Sequence, residues 1–202
     1  MGTTQTSSPR RRGRPGYDVE TLLQVAVDVF TVKGFDGTSM EDLSRKLGIT
    51  KSAIYHHVSS KDQLLELAVS RALDGLSEVV DETLRMDASA VERLEHLIRG
   101  SVRVLVASKP FVTLLLRVRG NTAVERRALQ RRRSFDHMVA DLVAQAIDEG
   151  DIRPDIKPDI SARLLFGMVN SLVEWVKPPK NGEVGDLADA VWSIAYNGLR
   201  GS

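Results

Sequence analysis

The sequence predicts an all-α protein of about nine helices. Apolar residues return every three or four positions along almost the whole chain after residue 18, the spacing of one helix face. The breaks between these runs hold Gly, Pro and a Ser, Thr or Asp placed to cap the next helix. No strict apolar–polar alternation competes with this pattern.

Each element has its own signal. Asp18 suits the N-cap of a first helix from about Val19 to Lys33, with Leu22, Leu23, Ala26, Val29 and Phe30 at helical spacing. Gly34-Phe35-Asp36-Gly37 turns the chain. Thr38 or Ser39 caps a second helix, whose Glu41 and Asp42 oppose the helix dipole and whose Met40, Leu43 and Leu47 face inward. Gly48 ends it, and Thr50 caps a very short third helix. Ser60 to Gln63 reads as a capping box for a fourth, carried by Leu64, Leu67, Ala68, Ala72, Leu76 and Val79-Val80 from Lys61 to near Arg85. A fifth spans Ala88 to Ala107. Pro110 suits the first turn of a short sixth, Phe111 to Arg117. Thr122 caps a seventh that reaches about Glu149. Pro158 or Asp159 opens a markedly apolar eighth, which ends near Lys177 at Pro178-Pro179-Lys180-Asn181-Gly182, and a ninth covers Asp186 to Leu199. Residues 1–16 are almost wholly Thr, Ser, Pro, Gly and Arg with nothing to bury, so they should be disordered in the free protein.

Bulk properties narrow the class. The chain has 202 residues, 42% hydrophobic and 27% charged, which suits a soluble globular protein with one or two modest cores. Cysteine is absent, so disulfides, thiolate nucleophiles and cysteine-ligated metals are excluded. No run approaches the roughly 20 apolar residues of a membrane-spanning helix, and the N-terminus lacks a secretory apolar segment. The expectation is a cytoplasmic protein without membrane partners. The net charge of +1 hides a basic arm with Arg10, Arg11, Arg12 and Arg14 and no acid. Neither a nucleophile elbow, a Walker loop, a dinucleotide fingerprint nor a metal-spaced His/Glu motif occurs, so an enzyme is not expected. His56-His57 cannot chelate from one helix, because adjacent side chains diverge by about 100°. No metal and no cofactor are expected.

The richest stretch is Gly48-Ile49-Thr50-Lys51-Ser52-Ala53-Ile54-Tyr55-His56-His57-Val58. Ile54 and Val58, four apart, share an inward face. Lys51, Ser52, Tyr55 and His56 project outward and can bond phosphates or base edges. A helix that short and so decorated fits a DNA major groove. This stretch, with Ala26-Val27-Asp28-Val29-Phe30, Gly34-Phe35-Asp36-Gly37-Thr38-Ser39-Met40, Asp42-Leu43 and Ser60-Lys61-Asp62-Gln63-Leu64-Leu65, resembles the TetR family of bacterial transcriptional repressors over most of positions 18–65.

The resemblance implies a helix-turn-helix domain at 17–60 and an effector-binding and dimerisation domain at 61–200. It implies that Thr50, Lys51, Ser52, Tyr55 and His56 face the groove, that Thr38 and Ser39 anchor backbone phosphates, and that Lys61 contacts a phosphate. The plain alternative is that Tyr55 packs and the His pair is solvated. Arg12-Gly13-Arg14-Pro15 resembles the core of an AT-hook, and Arg12 and Arg14 could lie in a narrow minor groove; the alternative is a solvated basic tail. One recognition helix discriminates too little, so a homodimer on a palindromic double-stranded site is expected.

In the body, the eighth helix is apolar around much of its circumference and must be covered on two sides. It is either a central core helix or shared between core and partner. The resemblance implies a dimer interface from the last two helices, with Phe166, Asn170, Val173, Trp192 and Tyr196 as candidates. Many arginines follow the leucine-rich stretch at 114–116. They form either a solvated face or a pocket with an apolar floor and a cationic mouth, which would fit an acyl-coenzyme A thioester. The pocket candidates are Leu105, Phe111, Leu114, Leu115, Arg117, Arg119, Phe135, Met138 and Trp175. This region and the Leu164-to-Trp175 helix together are similar to actinobacterial regulators of aromatic-acid or lipid catabolism, particularly phenylacetate-pathway repressors sensing phenylacetyl-coenzyme A. The competing functions are a DNA-binding architectural protein without effector and a helical enzyme.

Overall fold

The structure, a computed structural model, describes residues 18–177 and 183–201. The expected arm at 1–16, with Arg12 and Arg14, and the Pro178–Gly182 turn lie outside the described residues. Among the described residues there are nine helices: α1 Val19–Lys33, α2 Met40–Leu47, α3 Lys51–Tyr55, α4 Lys61–Arg85, α5 Ala90–Ala107, α6 Lys109–Arg117, α7 Ala123–Asp148, α8 Pro158–Trp175 and α9 Glu183–Leu199. The only β pairing in that set is an isolated bridge between Ile152 and Arg200, which ties the C-terminus to the loop after α7.

Caps decide where the helices begin. The Asp18 carboxylate accepts from the Thr21 amide at 2.8 Å. Ser39, not Thr38, caps α2 in a reciprocal box with Asp42, and Ser39 together with Lys33 holds the Asp42 carboxyl far below the usual carboxylate range. Thr122 and Glu125 form the same box on α7. Helix α5 starts two residues later than expected, because Ser89 and Glu92 make its box. Ser60 caps α4, but Gln63 does not reach back to it. Its side-chain oxygen instead accepts from the Ser59 amide at 2.6 Å and the Ser59 hydroxyl at 2.9 Å.

Three short helices form a head and the longer ones a body, yet the apolar core runs through both. Helix α5 is its axis, with Leu94, Leu97, Ile98 and Val102 fully buried. Helices α4, α6, α7, α8 and α9 pack around it. At the α4–α5 crossing, a Cβ on Gly100 would fall inside van der Waals contact of the Val79 side chain, so only glycine lets the two helices approach so closely. The head docks through α1, which packs on both α4 and α6. Helix α4 therefore belongs to both parts: its first turn meets the head and its middle walls the body's interior.

Candidate nucleic-acid interface and effector chamber

The third helix is short because both ends are fixed. Gly48 adopts a left-handed backbone (φ 68°) that ends α2, and the Thr50 hydroxyl accepts the Ala53 amide at 3.2 Å. Ile54 and Val58 are buried beneath it. Thr50, Lys51, Ser52, Tyr55 and His56 are exposed, Tyr55 by 51%. A rigid apolar underside thus presents a row of hydroxyls, a cation and an imidazole to solvent, the donor set that duplex edges and phosphates accept.

Two expected contacts change role. Thr38 is only 2% exposed and its hydroxyl donates to the Gly34 carbonyl at 2.7 Å, so it shapes the α1–α2 turn and is withdrawn as a phosphate anchor. Lys61 reaches back into the same turn. Its ammonium donates to the Phe35 carbonyl at 2.8 Å and the Thr38 carbonyl at 2.7 Å, and lies 4.2 Å from the Phe35 ring centroid. It acts as a staple between α4 and the head, with one N–H left over. Lys51 remains at the surface but is paired with Glu41 at 2.5 Å. That hydrogen bond raises the Lys51 pKa and lowers that of Glu41. Ser39 stays exposed, with its hydroxyl on Asp42 at 2.7 Å.

The body joins the head at a second place. The Arg117 guanidinium donates to the Thr31 carbonyl of α1 at 2.6 Å, and the Asn121 amide donates to Asp36 at 2.8 Å. Nearby, Arg71 of α4 bonds Glu20 of α1 and lies 4.5 Å from the Phe111 ring centroid. Arg117 and Phe111, expected at the effector pocket, therefore serve the joint.

Inside the body, α4, α5, α6, α7 and α8 enclose a chamber of about 60 Å³. Leu105, Leu115 and Phe135 line it, as expected from sequence. Sequence reasoning missed Ala72 and Leu76 of α4, Val104 of α5, and the polar pair Arg132 and Asp136 of α7. Asn170, expected at the dimer interface, also lines the chamber. Desolvation raises the Asp136 pKa, with Arg132 and Arg163 pulling it down. Leu76 and Phe135 also line an adjoining groove of about 290 Å³, where Met138, Ser77, Ser134 and Arg131 sit. Phe135 meets Phe166 edge-to-face at 4.6 Å between centroids. Chamber and groove thus share Leu76 and Phe135 as a common wall; both are mainly apolar, with Arg132 and Asp136 in the first and Arg131 and Asp81 in the second.

The remaining expectations move. Leu114, Arg117 and Arg119 line a different cleft, between head and body. Trp175 is 60% exposed and cannot line the chamber. Phe166 (8%), Val173 (9%) and Trp192 (7%) are buried within the monomer and cannot meet a partner as they stand. Tyr196 is half-buried and stacks on Trp192 at 5.2 Å. The exposed apolar residues of these two helices are instead Ile160, Leu164, Trp175 and Ile194. On α8 they follow four- and eleven-residue steps, which keep to one face. None of the His, Asp or Glu side chains in the described residues cluster as a metal site, and no helix there is long and apolar enough to cross a membrane.

Comparison with known proteins agrees with this anatomy. Residues 22–68 match the family described as bacterial regulatory proteins, tetR family, and residues 87–199 match the tetracyclin repressor-like C-terminal domain. The HTH-type transcriptional repressor KstR2 of Mycobacterium tuberculosis is 27% identical over 169 residues, covering 78% of this chain and 80% of its own. The crystal structure of SCO3833 from Streptomyces coelicolor superposes with TM-score 0.84 at 53% identity, over 90% of this chain and 92% of that one. AibR, solved in complex with isovaleryl coenzyme A and operator DNA, superposes with TM-score 0.72 at 26% identity, over 87% and 96%. The subgroup expected from sequence is that of phenylacetate regulators; the named relatives are KstR2 repressors, so that assignment is withdrawn.

Proposed function

Because the chain belongs to the TetR family of bacterial regulatory proteins, we propose that it represses transcription as a dimer on a palindromic operator and releases it when an acyl-coenzyme A thioester enters the body. It is a regulator and not an enzyme. The observation that carries the DNA half is the exposed polar row on α3 held over the buried Ile54 and Val58. Thr50, Lys51, Ser52, Tyr55 and His56 meet groove edges and phosphates, and Ser39 and the last Lys61 N–H are within the same head. Arg12 and Arg14 of the arm add a minor-groove contact. Such a protein acts where the chromosome is, in the cytoplasm.

The effector half rests on the chamber and its neighbour. An acyl group suits the chamber, and the phosphates of the carrier suit the groove beyond Leu76 and Phe135, where the Arg131 guanidinium, now paired with Asp74 at 2.7 Å, would turn to them. AibR, with the same fold, binds isovaleryl coenzyme A. At about 60 Å³ the chamber is smaller than the roughly 150 Å³ that holds one benzene. An acyl group must therefore push its walls apart, and two of those walls are α4 and α6. Both reach the head, α4 through Lys61 and α6 through Arg117. The effector then favours the expanded state, which carries the head away from its DNA-bound position.

The dimer face is the exposed stripe Ile160, Leu164, Trp175 and Ile194 of α8 and α9, which would be self-complementary across a two-fold axis. A gel-shift on the DNA upstream of the protein's own gene tests the reading. Binding that is released by a short-chain acyl-coenzyme A and not by its free acid is expected. Binding that ignores every thioester would remove the effector half.

A further inference from the structure

We propose that the cleft between head and body is a second ligand site, for a small amphiphilic anion: a carboxylate or phosphate on a short apolar body. The cleft, open to solvent on one side, offers about 340 Å³, far more than the chamber and at the lower end of the usual range for small-molecule sites. Its floor is apolar, with Phe30, Phe35, Leu65 and Leu114. Arg117 and Arg119 also line it. Arg119 is exposed and has no carboxylate partner among the described residues. Arg117 uses one N–H on the Thr31 carbonyl and keeps the rest of its fork. The one acid in the lining, Glu125, is only 6% exposed, and its oxygens are already held by the Thr122 amide at 3.0 Å and the Arg119 amide at 3.4 Å. The cleft therefore offers an apolar bed and two cationic forks with spare donors, which an anionic head group on a hydrocarbon tail matches.

The location gives the site a consequence. Arg117 is the tether between α6 and α1, so an anion that draws its guanidinium away weakens the head's hold on the body. This site is separate from the acyl chamber: the two share no lining residue. Occupancy can be read without DNA or thioester, so its failure would leave the operator and effector reading untouched.

The test is methyl NMR of the full chain, labelled at Leu and Val, titrated with hexanoate. Saturable shifts are expected at the methyls of Leu65, Leu114 and Val118. Arg119→Glu, at an exposed position whose side chain has no partner among the described residues, should raise the apparent Kd about tenfold or more, as loss of a charge-assisted hydrogen bond does. Arg119→Ala should raise it less. Three results would each overturn the site: no saturable shift at these methyls up to about 10 mM, shifts confined to Leu105 and Val169 in the chamber, or an affinity that Arg119→Glu leaves unchanged.

Discussion

The head and the body solve opposite problems. The reading surface on α3 comes from residues within one short stretch, fixed by a glycine turn, a threonine cap and two buried side chains. It is finished before any partner arrives. The chamber comes from five helices spread over roughly a hundred residues of chain, and its cavity volume is only about 60 Å³. In the proposed function it is finished only when an effector enters it. The contrast teaches where regulation can live: a pre-formed surface cannot be switched by small changes in itself, but it can be moved as a unit by a body whose interior must expand.

The sharpest way to break the head alone is Ile54→Ala. Ile54 is fully buried, and such truncations cost about 2–5 kcal/mol. Amide hydrogen exchange should speed up across 40–58 while α5 and α7 stay protected. Uniform acceleration would mean that head and body unfold as one unit.

The second prediction addresses the body's outer face. Leu164 is 62% exposed on α8. Leu164→Glu would bury two like charges across a two-fold interface, a cost of several kcal/mol. Light scattering should report a monomer with an unchanged helical spectrum. A persistent dimer would move the interface elsewhere.

The third sharpens the comparison itself. Leu115→Phe adds volume to a chamber with little to spare, at about 1–3 kcal/mol in stability. Operator affinity should fall without any effector, because the bulkier side chain spreads the same walls, and the thioester response should shrink. Unchanged operator affinity with an intact response would show that expansion of the chamber is not what moves the head.

The fourth effect is the smallest. Glu41→Gln removes the partner of Lys51. Affinity for both operator and unrelated duplex should rise modestly at low salt, and the gain should fade as salt increases.

These two regions also differ in how far the sequence discloses them. The head's architecture is written locally: Gly48, Thr50 and the Ile54–Val58 pair define the turn, the cap and the inner face within eleven residues. Pairing stays hidden even there, because no spacing rule says that Lys51 meets Glu41 or that Lys61 turns back onto the Phe35 carbonyl. The body's helices are equally legible, through their caps and period. Its faces are not. Helix α8 is apolar almost all round, so periodicity cannot say which side is inner; Phe166 and Val173, expected to face a partner, are buried, whereas Leu164 and Trp175 are exposed. The arginines after the leucine stretch do border an apolar bed, as their pattern suggests, but Arg117 and Arg119 do so at the head–body cleft. Only α7 and its Arg132 carry that chemistry into the chamber. Cavities assembled from distant segments have no period to read.

Whether α3 reads DNA is decided by fluorescence anisotropy of the upstream duplex at low salt, with the wild-type chain and a Lys51→Ala/Tyr55→Ala double variant. Tight wild-type binding is expected. The variant should lose about 10–100-fold or more, from about 1–3 kcal/mol per lost base contact, with dimer and helical spectrum unchanged. Equal binding by the two proteins, or no binding by the wild type to any duplex, would contradict the assignment of α3 as the reading helix.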